Sequence, residues 1–434
     1  LDKPRLERIV RTYADHIAMP IRLAVGDGTP EAANSGTALW TRPKSDITDA
    51  QYAEFYRHVS GAFDAPAFTL HFRAEGRIEY TALLFVPEHA PFDLYDPARK
   101  SRVKLYVKRV FITDDCAELL PGYLRFLRGI VDSQDLPLNI SREMLQNNPL
   151  VAAMRKAIVS RLLGDLAKFA AAEPAAYEKI WDIFGRVLKE GLYEDAERRQ
   201  ELLALARFKS TAQKGWVSLA DYVGRMKAGQ KAIYVIRGDD VEGLAKSPQL
   251  EGFRARGIEV LLLADPIDDF WVDAVGDYDG KPLRSVTRAS SDLDDLGKPG
   301  ADKPAPSDGA LATLAAALKT ALGDKVKDVR ASARLTDSAV CLVADEGGLD
   351  LHLERMLRQH EKLAGASPRI LEINPTHPLI NALAARAGKA EATSALADAA
   401  HLLLDQAYIL EGEGVADAGA FARRLNDLMA RSLA

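Results

Sequence analysis

Cysteine is almost absent from this chain. Cys116 and Cys341 are its only two thiols, too few and too far apart for a disulfide framework or a Cys-rich zinc site. A reducing cytoplasm is the natural setting for that usage. Long hydrophobic runs are missing as well: no stretch of about 18 apolar residues occurs, so no membrane-spanning helix and no membrane partner are expected. Charge of neither sign prevails, since 57 Lys and Arg face 62 Asp and Glu, and a net −5 supplies no global attraction to nucleic acid. The nucleotide fingerprints G-x-G-x-x-G and G-x-x-x-x-G-K-[ST] and the zinc motif H-E-x-x-H are absent. His352 and His360, eight residues apart, form no metal pair, and no metal site is expected. An initiator Met and a signal peptide are also missing; the opening Leu1-Asp2-Lys3-Pro4 reads as a cut inside a longer protein.

What is present is a chain of 434 residues with 47% hydrophobic and 27% charged residues, enough for two or three domains with true cores. The first third mixes strand and helix signals. Ala67 to Arg73 and Ile78 to Val86 flank the turn residues Glu75-Gly76 and predict a hairpin. Val103, Leu105 and Val107 alternate with polar or amphipathic neighbours and predict a half-buried strand that runs on into Val110 to Ile112. Helices are expected over Asp49 to Val59 and Leu119 to Gly129. From Asn148, a helix cap followed by Pro149, the residues Leu150, Met154, Ile158, Leu162 and Leu166 mark one buried face. Helical character continues to about Phe208 and predicts a helical connector.

A β-α-β unit follows: strand Ala232 to Arg237, helix Pro248 to Arg256, strand Ile258 to Leu263. Its first turn, Arg237-Gly238-Asp239-Asp240, is acidic and poorly suited to phosphate. Ala289 to Ala310, with five Asp, three Gly, three Pro and three Ser, reads as a loop or linker. Beyond it the pattern predicts helix Leu311 to Leu322, strand Ala339 to Ala344, helix Leu349 to Lys362 and strand Arg369 to Ile373. Two further helices, Ser394 to Leu410 and Ala416 to Leu433, complete the chain.

Residues 104–148 read KLYVKRVFITDDCAELLPGYLRFLRGIVDSQDLPLNISREMLQNN. This run resembles the signature of the ninety-kilodalton heat-shock chaperone family. Ala38-Leu39-Trp40-Thr41-Arg42 followed by Ser45-Asp46-Ile47-Thr48 resembles that family's middle-domain entry. Ala90-Pro91-Phe92-Asp93-Leu94, Asp265-Pro266-Ile267-Asp268 and Asn374-Pro375-Thr376-His377-Pro378 are similar to further blocks, so the likeness runs from about residue 15 to about residue 430. The terminal Ala430-Arg431-Ser432-Leu433-Ala434 lacks the acidic tail of eukaryotic cytosolic relatives, which points to a bacterial member.

The resemblance implies an α/β and α+β multidomain chain, located in the cytoplasm. Its middle domain would span 1–270, with a large αβα unit (1–148), the helical connector (149–215) and a small αβα unit (216–270). A mixed C-terminal dimerisation domain, 271–434, would carry a flexible loop near 289–310 and end in helices. ATP with Mg would serve the full-length protein, held by an N-terminal ATPase domain upstream of Leu1, and no cofactor is expected in this chain alone. Client proteins, a second copy of the chain and that N-terminal domain are the implied partners.

Site residues follow from the same resemblance. Arg142 would reach the γ-phosphate as an arginine finger, with Asn139 and Gln146 as polar support; a guanidinium keeps its charge and binds phosphate oxygens in pairs. Spacing alone says only that Arg142 and Gln146 share a face if helical, and an exposed polar face explains that equally. Phe111 is either a core residue or a docking contact for the nucleotide domain. Trp40 is either a core anchor or a client contact. Leu349, Leu353, Met356 and Leu357 form a stripe that either packs on its own sheet or meets clients. Leu402, Leu403, Ile409 and Leu410 in one terminal helix, with Phe421, Leu425, Leu428 and Met429 in the other, would form a four-helix dimer interface or an intramolecular hairpin. Two other classes stay open on the residues alone, a small-molecule α/β enzyme and a purely structural dimeric scaffold.

Overall fold

The computed structural model describes residues 2–24, 29–96, 102–137, 145–288, 293, 305–360, 362–363, 367–387 and 393–433. The chain divides into two compact units, Leu1–Arg207 and Phe208–Ala434. Within the described residues no helix is long and apolar enough to cross a membrane.

The first unit opens with α1 (Lys3–Tyr13) and a short ribbon of β1 (Arg22–Leu23) and β2 (Glu31–Ala32). Next comes α2 (Asp49–Ser60), started by a capping box in which Thr48 and Gln51 exchange hydrogen bonds and stopped by Gly61 in the left-handed region. The main sheet contains β3 (Pro66–Ala74), β4 (Tyr80–Pro87), β5 (Val103–Val107), β6 (Val110–Thr113) and β7 (Arg128–Ser133), in the spatial order β3-β4-β7-β5-β6. The expected hairpin is there, with Leu70 opposite Leu84. Both central strands, β4 and β7, are buried along their whole length. That explains why Tyr80–Pro87 is nearly continuous in apolar residues rather than alternating. On one face α2 contributes Tyr52, Phe55 and Tyr56 to a core with Leu83, Phe85 and Ile130.

The helix expected over Leu119 to Gly129 does not form. Pro121 and Gly122 break the segment into two single turns, Ala117–Leu119 and Gly122–Leu124, and the chain then becomes β7. Gly129 shows why that strand needs glycine. Its φ is +128°, and a Cβ there would stand 2.1 Å from the carbonyl oxygen of Leu83 in β4. The connector consists of α3 (Pro149–Ala172), α4 (Pro174–Glu194) and α5 (Arg199–Leu205). Asn148 caps α3 through the N–H of Leu150 at 2.9 Å, as its type and the following Pro149 predicted. Phe126 stacks on Phe184 of α4 at 4.4 Å.

The second unit holds two sheets. The larger contains β8 (Arg207–Ser210), β9 (Val217–Ser218), β10 (Ile233–Arg237), β11 (Val260–Leu263), β12 (Asp277–Tyr278) and β13 (Lys281–Ser285), in the order β12-β13-β10-β11-β8-β9. Its minor helices are α6 (Leu219–Gly224), α7 (Val241–Ala245), α8 (Glu251–Ala255) and α9 (Asp268–Val275). β10 and β11 are parallel, as the β-α-β reading required. Phe208, expected at the end of a helix, instead lies in β8. The expected boundary at 270/271 falls inside α9, and β13 beyond it still pairs with β10.

The smaller sheet is β14 (Val326–Ala331), β16 (Arg369–Ile373) and β15 (Val340–Val343), with β16 in the middle. Helices α10 (Asp308–Leu322), α11 (Leu351–Gln359), α12 (Pro378–Ala384), α13 (Thr393–Leu410) and α14 (Ala418–Leu433) accompany it. Leu314, Leu318 and Leu322 of α10 and Leu403, Leu404 and Ala407 of α13 close the core over Leu342, Leu371 and Ile373. Most of the expected loop 289–310 lies outside the described residues.

Gly129→Ala should cost about 3 kcal/mol or more, since the methyl group meets backbone rather than a movable side chain. A urea midpoint within error of the parent would refute this account of β7.

Candidate functional site

Asn139 and Arg142 lie outside the described residues, and so do Ser141 and Glu143. On either side of that stretch Leu136 and Leu145 are buried. Gln146 is exposed, and Asn147 adopts a positive φ of 58° before Asn148 caps α3. No geometry therefore links Arg142 to Gln146.

Trp40 sits in the core of the first unit, 1% exposed. Its indole N–H donates to Asp132 of β7 at 2.8 Å, and its ring contacts His16 at 4.7 Å, Tyr106 at 5.1 Å and Phe55 at 5.7 Å. The second oxygen of Asp132 accepts the backbone N–H of Arg109 at 3.1 Å, which holds the β5–β6 turn where Lys108 and Arg109 both have positive φ. Burial raises the pKa of Asp132, and the Trp40 hydrogen bond works against that rise. Every polar atom of the indole is used and its surface is covered, so the client-contact reading of Trp40 is corrected here to a core anchor. Phe111, in β6, is half-buried, edge-on to Tyr13 of α1 at 5.8 Å and to Tyr106 at 5.7 Å.

The stripe in α11 differs from an ordinary amphipathic helix. The helix begins at Leu351, capped by Asp350, so Leu349 precedes it and is itself exposed; the expected start at Leu349 is two residues early. Leu353, Met356 and Leu357 share one face and are only half-buried, whereas Leu351 and Glu354 on another side are buried. That buried side is held by charge. His352 faces Asp269 through Nδ1 at 3.0 Å and Asp239 through Nε2 at 3.2 Å. Arg355 donates to Asp239 at 2.6 Å and to the carbonyl of Glu411 at 2.6 Å. Glu354 accepts the N–H of Ser367 at 3.0 Å, and Arg358 lies 3.7 Å from Glu413. Asp350 is fully buried; it accepts from the hydroxyls of Ser285 and Thr287. The polar side is thus the anchored side, and the apolar side is left partly open.

The terminal helices divide the expected dimer residues. Leu403 is 3% exposed and belongs to the unit's own core, so it is corrected from interface to core; Leu402 is half-buried. Ile409 and Leu410 are exposed at the end of α13. In α14, Phe421 is half-buried, while Leu425, Leu428 and Met429 are exposed, the last two by 56% and 53%.

Sequence reading missed two features. Among the described residues Asp64, Glu88 and His89 bring ligand atoms within 4.8 Å of one another, although Glu88 and His89 are exposed. Asp64 already meets the Tyr56 hydroxyl at 3.1 Å and His89 at 3.0 Å. The ion pairs under α11 were missed as well, because Asp239 and Asp269 are remote from His352 in sequence.

The mixed α/β units, the central 104–148 run and the helical end define a multidomain chaperone architecture. The family described as Hsp90 protein matches residues 27–434. "Chaperone protein HtpG" of Paramagnetospirillum magneticum is 57% identical over 438 residues, covering 100% of this chain and 70% of the relative. The proteins of the same name from Rhodospirillum rubrum and Azorhizobium caulinodans are 56% and 55% identical, covering 100% of this chain and 70% and 69% of their own lengths. The chain belongs to the HtpG/Hsp90 family of chaperones. ATP with Mg is the cofactor of that family.

The His352 contacts carry a pH signature. Burial disfavours the imidazolium, but hydrogen bonds to Asp269 and Asp239 outweigh it and raise the pKa above the ordinary 6.5. Its stabilisation is therefore complete below about 6.5 and lost as the pH rises through the folded value. Glu411, pushed up to about 7 by desolvation, shifts stability in the same direction as it deprotonates. His352→Gln should remove about 1 kcal/mol at pH 6 and little at pH 8.5, measured by denaturant unfolding. An equal loss at both values would contradict the ion-pair assignment.

Proposed function

We propose that this chain supplies three parts of an ATP-driven chaperone: a catalytic-loop arginine, a client surface and a dimer interface. The observation that carries the reading is α11, whose polar side is tied down by His352, Arg355 and Glu354 while Leu353, Met356 and Leu357 remain half-open. A helix fixed in this way presents apolar surface without unfolding to do so. Leu349, exposed just before it, widens the patch. Such surface binds unfolded segments broadly, and a methionine adapts to many partners.

The dimer reading rests on α13 and α14. Ile409, Leu410, Leu425, Leu428 and Met429 leave apolar area that the chain's own core does not use, and two such helices from each of two copies suit a C2 four-helix interface. Half-buried Leu402 would border that surface. The assignment of 1–270 and 271–434 as middle and C-terminal domains belongs to the same reading.

The turn after β10, where a phosphate would sit in a nucleotide-binding β-α-β unit, carries Asp239, whose carboxylate is engaged by His352 and Arg355. In this reading ATP is held by the nucleotide-binding domain of the full-length protein. Arg142 would meet it there with a permanent positive charge, Asn139 and Gln146 would assist, and Phe111 would help dock the domain that brings the nucleotide.

Leu353→Asp with Leu357→Asp should reduce suppression of aggregation of a denatured enzyme by about 10-fold in the concentration needed, because two charges enter the apolar patch. Unchanged suppression with α11 intact would remove the client role. Joined to a nucleotide-holding domain, Arg142→Ala should lower ATP turnover by about 100-fold without loss of ATP affinity; unchanged turnover would refute the arginine role.

A further inference from the structure

We propose that the cleft between α1 and the β5–β6 edge is a binding site for an oligophosphate anion. The cavity has a volume of about 540 Å³, and Arg8, Arg11 and Lys104 line it together with His16, His58 and Phe111. The site lies entirely within the first unit, and Phe111, to which the proposed function gives a docking role, lines one side of it.

Three observations support it. First, the cations have no acceptor: among the described residues no hydrogen bond or ion pair engages the side chains of Arg8, Arg11 or Lys104. Arg8 and Arg11 are three apart on α1 and therefore share a side of the helix. Second, Lys104 is half-buried in β5, where burial lowers its pKa and only Asp114 acts on it favourably from a distance. A half-buried ammonium without a partner is costly, and an anion in the cleft would relieve that cost. Third, cations outnumber carboxylates in the lining, where Arg8, Arg11 and Lys104 stand against Glu7 and Asp114. Glu7 is drawn to Lys3, 3.8 Å away on the same helix, and Asp114 acts on Lys104 only from a distance.

The chemistry favours a chain of phosphates over a single small anion. Three cations contributed by a helix and a strand present separated positive centres, and guanidinium groups match phosphate oxygens in pairs. His58, whose pKa is lowered by burial and by Lys104 and His16, lines the same space. Its neutral ring can still donate one hydrogen bond. The cavity around Arg237, Asp239, His352 and Arg355 in the second unit does not share this property, since each of those cations already has a carboxylate partner.

Inorganic tripolyphosphate is the probe, and isothermal titration of the whole chain at low salt is the measurement. One saturable site is expected, and indole emission should change with it, because His16 and Tyr106 line the cleft and contact Trp40. Lys104→Gln with Arg11→Gln should weaken binding by about 10-fold or more, each loss removing a charge-assisted hydrogen bond. Lys179→Gln, on an exposed position of α4, should leave it unchanged. The single variant Arg11→Gln, on the exposed side of α1, keeps the test meaningful if the double variant is unstable. No saturation below about 1 mM, equal affinity in parent and variants, or an equal loss in Lys179→Gln would each overturn the site and mark diffuse surface attraction instead.

Discussion

The guanidinium of Arg334 holds the second unit together. It is 3% exposed and donates to Glu372 of β16 at 3.0 Å, to the side-chain oxygen of Gln249 at 3.0 Å, and to the backbone carbonyls of Arg288 and Val286. Glu372 lies in β16, Val286 and Arg288 follow β13, and Gln249 lies in the turn before α8. A buried charge pair is tolerable only when the remaining donors and acceptors are also satisfied, and here Ser332 and Arg330 complete the shell of Glu372 at 2.7 and 2.8 Å. Burial alone would push the Glu372 pKa up, but the charge of Arg334 and the hydrogen bonds from Arg330 and Ser332 outweigh it and hold it below the ordinary carboxylate value. Glu251 adds a second tie, accepting the backbone N–H groups of Thr336, Asp337 and Ser338.

From that seam the geometry of α11 follows. Gln249 also donates to Glu411 at 2.8 Å, near the end of α13. Asp350, beside it in space through Ser285 and Thr287, caps α11. The helix is consequently docked through charges, and its apolar residues are displaced to the freer side. The first unit shows the same principle on a smaller scale, with Asp132 joining Trp40 to the β5–β6 turn. In both units a buried carboxylate sets the position of apolar groups that would otherwise pack in several ways.

Much of the fold could be read locally. The hairpin of β3 and β4, the parallel pair β10 and β11, the long α3 and the two terminal helices each carry their own period and their own breakers. Reading failed where pairing overrode pattern. Leu119 to Gly129 has helical spacing, yet Pro121 interrupts it and Gly129 is required against Leu83. β14, with Lys327, Asp328 and Arg330 in six residues, lacks a strand pattern and is stabilised by parallel pairing with β16. The site was legible in a different way. Its residue types were recognisable by family resemblance, but burial assigned Trp40 and Leu403 to cores.

The sequence alone determined the class of protein, because the 104–148 run and the later blocks are long contiguous strings whose identity needs no contact to be recognised. It also determined most helices and strands, whose periods and caps are local. Tertiary structure decided what those residues are available to do. Which of two apolar faces is covered, which tryptophan is an anchor, and which cations are left without partners depend on residues far apart in the chain. Arg8, Arg11 and Lys104 carry no motif, and only the folding of α1 against the β5–β6 edge gathers them around one cleft.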